Sequence, residues 1–166
     1  MPGLLTDRPP TLAFGGIAQA LVLLHAVAGL ALCGAATHHV VVAVGYLRGV
    51  YRVRLARIYA LVTACCYGAV FLLGAGAYPS YRYFVRGLYF DRHVVWASNL
   101  FDIKENYAAL GLPFVAALLL LSRSYDPPRD KDLAAPYATL TAIVAAIVWL
   151  AGLAGLIITM QRSVPA

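Results

Sequence analysis

The sequence predicts an all-α integral membrane bundle of four transmembrane helices, with an interfacial amphipathic helix between spans two and three. Three observations predict it. Of 166 residues, 62% are hydrophobic and only 12% charged, with a mean hydropathy of +0.77, whereas a soluble domain has roughly a quarter of its residues charged. Four apolar runs, at about 12–47, 58–78, 106–121 and 137–160, reach or approach the ~20 residues that cross ~30 Å of hydrocarbon. In lipid an unpaired backbone N–H or C=O costs several kcal/mol, so such runs must be helical. One membrane domain over 1–166 accounts for the chain.

The first span follows a polar lead holding Pro9-Pro10, with Thr11 placed to cap the helix. Its apolar run is too long for a signal-peptide core, and bulky Leu32 precedes Cys33 where a lipoprotein needs a small residue. The amino terminus is therefore expected to be retained. As one helix, 12–47 would measure about 54 Å, so it must tilt, project from the membrane, or break near Gly34 or at Thr37–His39. Small residues at Ala26, Gly29, Cys33 and Ala36, and in span four at Ala142, Ala145, Ala151, Gly152 and Gly155, predict close helix contacts. Cys33, Cys65 and Cys66 form no C-x-x-C pair and read as small packing residues.

Residues 78–107 hold nine aromatic residues interleaved with Arg82, Arg86, Arg92 and Lys104. Rings with wet tips and basic side chains suit the headgroup zone. Pro79 at a first helical turn would start an interfacial helix over Ser80–Phe90, with Arg82 and Arg86 on one face. The whole interfacial segment is expected to run over 79–105. Asn99 would cap the third span, with Asp102 near its positive end. Pro113 interrupts that span, and 126–132 ("DPPRDKD") reads as a solvated turn.

The net charge is +6, mostly arginine. In a chain this apolar, such charge marks topology and contact with anionic lipid headgroups rather than nucleic acid. Arg48, Arg52, Arg54, Arg57, Arg123, Arg129 and Lys131 fall on one side of the membrane. Arg8, Arg82, Arg86, Arg92, Lys104 and Arg162 fall on the other. The first connection is short and purely basic, which favours it as cytoplasmic and both termini as outside.

Two groups of residues carry any chemistry. His25 and His39, 14 residues apart, would lie about 21 Å apart and within ~40° of one face. That spacing suits axial ligation of two stacked b-type haems, if a second copy or a partner subunit supplied the remaining ligands. Hydrogen bonding to neighbouring helices is the simpler reading, and intramembrane ionisable residues are functional candidates by default. No cofactor is predicted, and no metal site: Cys33, Cys65, Cys66 and His38 give no convergent ligand set. The second group is Asp102, Lys104 and Glu105 at the mouth of span three. Arg82 or Arg86 bonded to Asp102 or Glu105 would brace the interfacial helix, since arginine grips a carboxylate with two parallel bonds. Alternatively, Glu105 is a proton or cation ligand above a kink at Pro113.

Three stretches, "LCGAATHH" (32–39), "YPSYRYFVR" (78–86) and "LFDIKE" (100–105), resemble an uncharacterised group of small bacterial four-span inner-membrane proteins. That group repeats G-A-x-T-H, Y-P-x-Y-R-x-x-V-R and L-F-[DE]-x-K-E. The resemblance covers residues 25–121 and implies the fold and an inner-membrane location, with no activity. It singles out Thr37, His38, Pro79, Tyr81, Arg82, Arg86, Lys104 and Glu105, with the doubled histidine leaving His38 and His39 both open.

No HExxH, GxSxG or phosphate-loop signature is present. The functional expectation is thus a non-catalytic scaffold, an accessory or assembly subunit working with copies of itself or other membrane subunits. Two alternatives stay open: a haem-binding electron-transfer subunit using His25 and His39, and a small transporter or proton pathway using Glu105 and His25.

Overall fold

The computed structural model describes residues 11–126 and 129–164. The Pro9-Pro10 lead, Arg8 and the Pro127-Pro128 pair of the predicted turn lie outside these residues. Among the described residues every regular element is helical. A single 3₁₀ turn, Gly15–Ile17, leads into α1 (Ala18–Leu47). Next come α2 (Val53–Ser80), a π-helical segment Tyr81–Phe90, a last turn α3 (Asp91–His93), α4 (Val95–Ser124), a 3₁₀ turn Lys131–Leu133 and α5 (Ala134–Gln161). Four of these stretches are long and apolar enough to cross a membrane. The all-α four-helix bundle expected from composition is the fold observed.

Short connections make consecutive long helices antiparallel neighbours. Around the bundle the order is α1, α2, α4, α5, with α5 closing back onto α1. The basic connections α1–α2 and α4–α5 therefore share one end, here the loop end. The opposite, terminal end gathers the start of α1, the π-helical segment, the start of α4 and the end of α5.

α1 does not break. It runs 30 residues through Gly34 and Thr37–His39, about 45 Å. The small and β-branched residues there face other helices or lipid, and none removes a backbone donor. Thr11 does not cap α1: Phe14 adopts a left-handed conformation (φ 60°), the 3₁₀ turn follows, and Ile17 precedes α1 with no side-chain cap.

The interfacial helix expected over Ser80–Phe90 is not a separate element. Ser80, Tyr81, Phe90 and Asp91 all keep right-handed helical angles, so the helix that begins at Val53 continues through Pro79 to His93. Pro79 is internal to α2 rather than in a first turn. Lacking an N–H, it leaves the carbonyl of Ala75 without its helical donor, and the wider π-helical turns begin two residues later. The segment is still amphipathic, with Val85 and Phe90 buried and Arg82, Tyr83, Gly87 and Leu88 exposed. The chain reverses at Val94 (φ −142°, ψ 59°), and α4 starts at once. Asn99 thus lies inside α4 and caps nothing, and Asp102 sits two turns in. The expected 79–105 segment is split between the end of one helix and the start of the next.

The core has two apolar parts. At the loop end, Leu32, Ala36, Val42, Ala43 and Tyr46 of α1 pack with Tyr137, Ala138, Val144, Ala145 and Val148 of α5, and with Val115 and Leu118 of α4. At the terminal end, Ala18, Val85, Phe90, Ala97, Phe101, Ile158 and Val164 form a smaller cluster. Between them lies a layer cleared by glycine. Gly74 faces His25, Gly111 faces Tyr67, Gly152 faces the Cys33 sulfur and Gly155 faces Lys104. The Cys33–Gly152 approach joins α1 to α5 through the expected small-residue faces, whereas Gly29 and Gly34 meet nothing. The outer faces carry Leu23, Leu30, Leu72, Leu120 and Met160, all strongly exposed in the isolated chain. A surface this apolar is matched to lipid.

Candidate polar sites of the bundle

At the terminal end, Arg86 of the π-helical segment grips Asp102 of α4. Its Nη1 donates to Oδ1 at 2.6 Å and its Nη2 to Oδ2 at 2.9 Å, two parallel charge-assisted bonds. Its Nε lies 3.7 Å from the Asp91 carboxylate, which also accepts from the Ser98 hydroxyl. One guanidinium therefore ties together the π-helical segment, the turn of α3 and α4. This is the brace expected of Arg86 and Asp102. Arg82 takes no part in it: its guanidinium lies 6.0 Å above the Tyr78 ring and is exposed. Tyr81 stacks on Phe101 at 4.1 Å, and its buried hydroxyl has no hydrogen-bond partner.

Glu105 stands one turn deeper than Asp102 on α4, and it is exposed, with Asn106 and Tyr107 beside it. No ion pair or hydrogen bond reaches its carboxylate among the described residues. The arginine that could have held it is occupied by Asp102.

Lys104, the next residue, points the other way. Its ammonium lies 5.5 Å from the Phe101 ring, against α5 where Gly155 leaves room for it. Across the interior, His25 of α1 has its Nδ1 2.9 Å from the Val70 carbonyl of α2, with the ring resting on Gly74. Among the described residues no hydrogen bond or ion pair joins His25 to Glu105.

His38 and His39 lie toward the loop end and face different neighbours, whereas His93 ends the α3 turn at the terminal end, its ring 5.3 Å from that of Tyr89. His39 is 1% exposed, and its Nε2 is 2.7 Å from the Tyr137 hydroxyl of α5; its Nδ1 has no partner. Tyr46, Tyr125 and Tyr137 pack mutually with ring centroids 5.5–5.8 Å apart. His38 is exposed, its Nδ1 is 2.8 Å from the Gly34 carbonyl of its own helix, and its ring stacks on Tyr59. Thr37 donates to the Cys33 carbonyl and accepts from the Trp149 indole at 3.0 Å. Of the doubled histidine, His39 is the interior member. With His25 turned to α2 and the His39 Nε2 against Tyr137, an axial haem bond through that Nε2 would require Tyr137 to move aside. Among the described residues no three His, Cys, Asp or Glu side chains converge as a metal group.

Sequence reasoning missed Tyr67, Tyr137, Trp149 and Asp91 as partners. Tyr67 donates to the Ala108 carbonyl at 2.7 Å, next to the Ala109 carbonyl that Pro113 deprives of its helical donor. The only signal was indirect: a glycine, Gly111, two residues before that proline. The partner identities depend on which helices are neighbours and at what depth, and no local pattern encodes that. Comparison of the chain with protein-family models, with curated proteins and with solved structures finds no match.

Proposed function

We propose that this multi-pass membrane protein is a non-catalytic helical scaffold, an accessory or assembly subunit that binds a further membrane helix through α4. Glu105 carries the reading. It lies about 15 Å along α4 from Val95, on a flank shared with Ala109 and Leu112, both exposed. A hydrocarbon layer of ~30 Å centred on a ~45 Å helix would include this position. Ionisable groups at such depth are costly unless they are paired or hydrogen-bonded. The donor is supplied by a helix of another subunit or of a second copy. The setting is the bacterial cytoplasmic membrane, with the arginine-rich loop end inside and both termini outside.

Photocrosslinking tests this. A photoreactive residue at Ala109 or Leu112 should yield adducts to a second polypeptide in native membranes, and one at inward-facing Val115 should not. Adducts to lipid alone from both outer positions would refute the proposal.

A further inference from the structure

The loop end carries a second feature, independent of Glu105. Two shallow grooves run side by side there. One is lined by Tyr51, Arg52, Val53, Arg54, Leu55 and Ile58. The other adds Arg57, Leu61 and Arg123 to the shared wall of Val53, Arg54 and Ile58. Four guanidinium groups therefore surround a strip of aliphatic side chains. Arg52, Arg54 and Arg123 are exposed, and no hydrogen bond or ion pair engages them among the described residues. Arg57 uses only its Nε, which donates to the Ser122 carbonyl at 3.2 Å. No acidic residue occurs anywhere between Arg8 and Asp91, so nothing on α1 or α2 neutralises the patch. Arg129 is held by Asp126 at 3.6 Å, away from these grooves.

We propose that the paired grooves bind the headgroup of an anionic phospholipid, with the class bearing two phosphodiesters fitting best. Guanidinium groups grip phosphate oxygens with two bonds each. Arg54, common to both grooves, can stand between two phosphates, with Arg52 on one side and Arg57 and Arg123 on the other. The aliphatic wall distinguishes a lipid from a free anion: Ile58 and Leu61, each 46% exposed, continue from the arginines along α2 toward the bilayer, where acyl chains would lie. Juxtamembrane arginines of this kind attract anionic headgroups.

Native mass spectrometry of the full chain released from detergent tests the site, with diphosphatidylglycerol, phosphatidylglycerol or phosphatidylcholine added. Retention should follow that order. Arg52→Gln/Arg54→Gln, which breaks no side-chain bond among the described residues, should weaken binding of the first lipid by about fivefold per arginine removed. Arg92→Gln at the opposite end should leave it unchanged. Equal retention of phosphatidylcholine, an unchanged double variant, or an equal loss in Arg92→Gln would overturn the proposal. So would displacement of the lipid by inorganic phosphate, which would mark a free-anion site, or dimer masses in place of lipid adducts that the double variant abolishes.

Discussion

At the scale of single residues, the bundle is held by a few polar contacts whose removal has predictable cost. Arg86 and Asp102 share two charge-assisted bonds, but both side chains are partly solvent-accessible, at 26% and 47%, which discounts their contribution below that of a buried pair. Arg86→Gln is expected to destabilise the detergent-solubilised protein by about 1–3 kcal/mol. The double variant with Asp102→Asn should cost less than the sum of the two single changes; strict additivity in thermal unfolding would mean the pair is not coupled. Tyr137→Phe should cost a similar ~1–3 kcal/mol, because it leaves both ring nitrogens of buried His39 without partners. A Cβ at Gly111 would overlap the Tyr67 hydroxyl. Gly111→Ala is therefore expected to lower the melting temperature, and adding Tyr67→Phe to recover part of the loss. These residues show where legibility stops. A brace of Arg82 or Arg86 to Asp102 or Glu105 was readable because arginines and carboxylates gather at the end of a span, but the sequence did not single out Arg86 with Asp102. His39 and Tyr137 are 98 positions apart, and only the closing of α5 onto α1 joins them.

At the scale of helices, the apolar runs were legible because each spans lipid and must be helical throughout. Their ends were not. Charged and aromatic residues past an apolar run resemble a surface segment, yet here they extend the same helices, so that α2 and its π-helical continuation reach His93 and α4 begins at Val95. Proline was the misleading residue: Pro79 fits a first turn as well as it fits an interior position where the helix then widens. Pro113 similarly lies within α4 without ending it. Hydrogen exchange measured residue by residue separates the two arrangements at 79–105. Amides from Arg82 to Val94, whose N–H donates to the Phe90 carbonyl, should be protected continuously with those of α2, with the loss of protection confined to Val95 and Trp96 in the first turn of α4. An unprotected stretch near Pro79 would restore the separate interfacial helix.

At the scale of the molecule, composition made the four-helix membrane class legible, and the arginine-rich loop end is proposed to face the cytoplasm. A cysteine placed at Val50, in the basic connection between α1 and α2, should react with a membrane-impermeant maleimide only after the membrane is opened. Labelling in intact cells would reverse the topology. The interior contains Lys104 and His25 between two apolar clusters, whereas Glu105, adjacent in sequence to Lys104, faces away from the bundle. Under the proposed function, the exposed flank of α4 around Glu105 is the surface that meets a partner, and the arginine grooves are the proposed lipid site. The most direct test is the native mass of the complex extracted from membranes, compared between the natural chain and Glu105→Gln. The account predicts a species larger than one chain that dissociates when the carboxylate is lost. A single-chain mass for the natural protein, or an unchanged complex in Glu105→Gln, would contradict it.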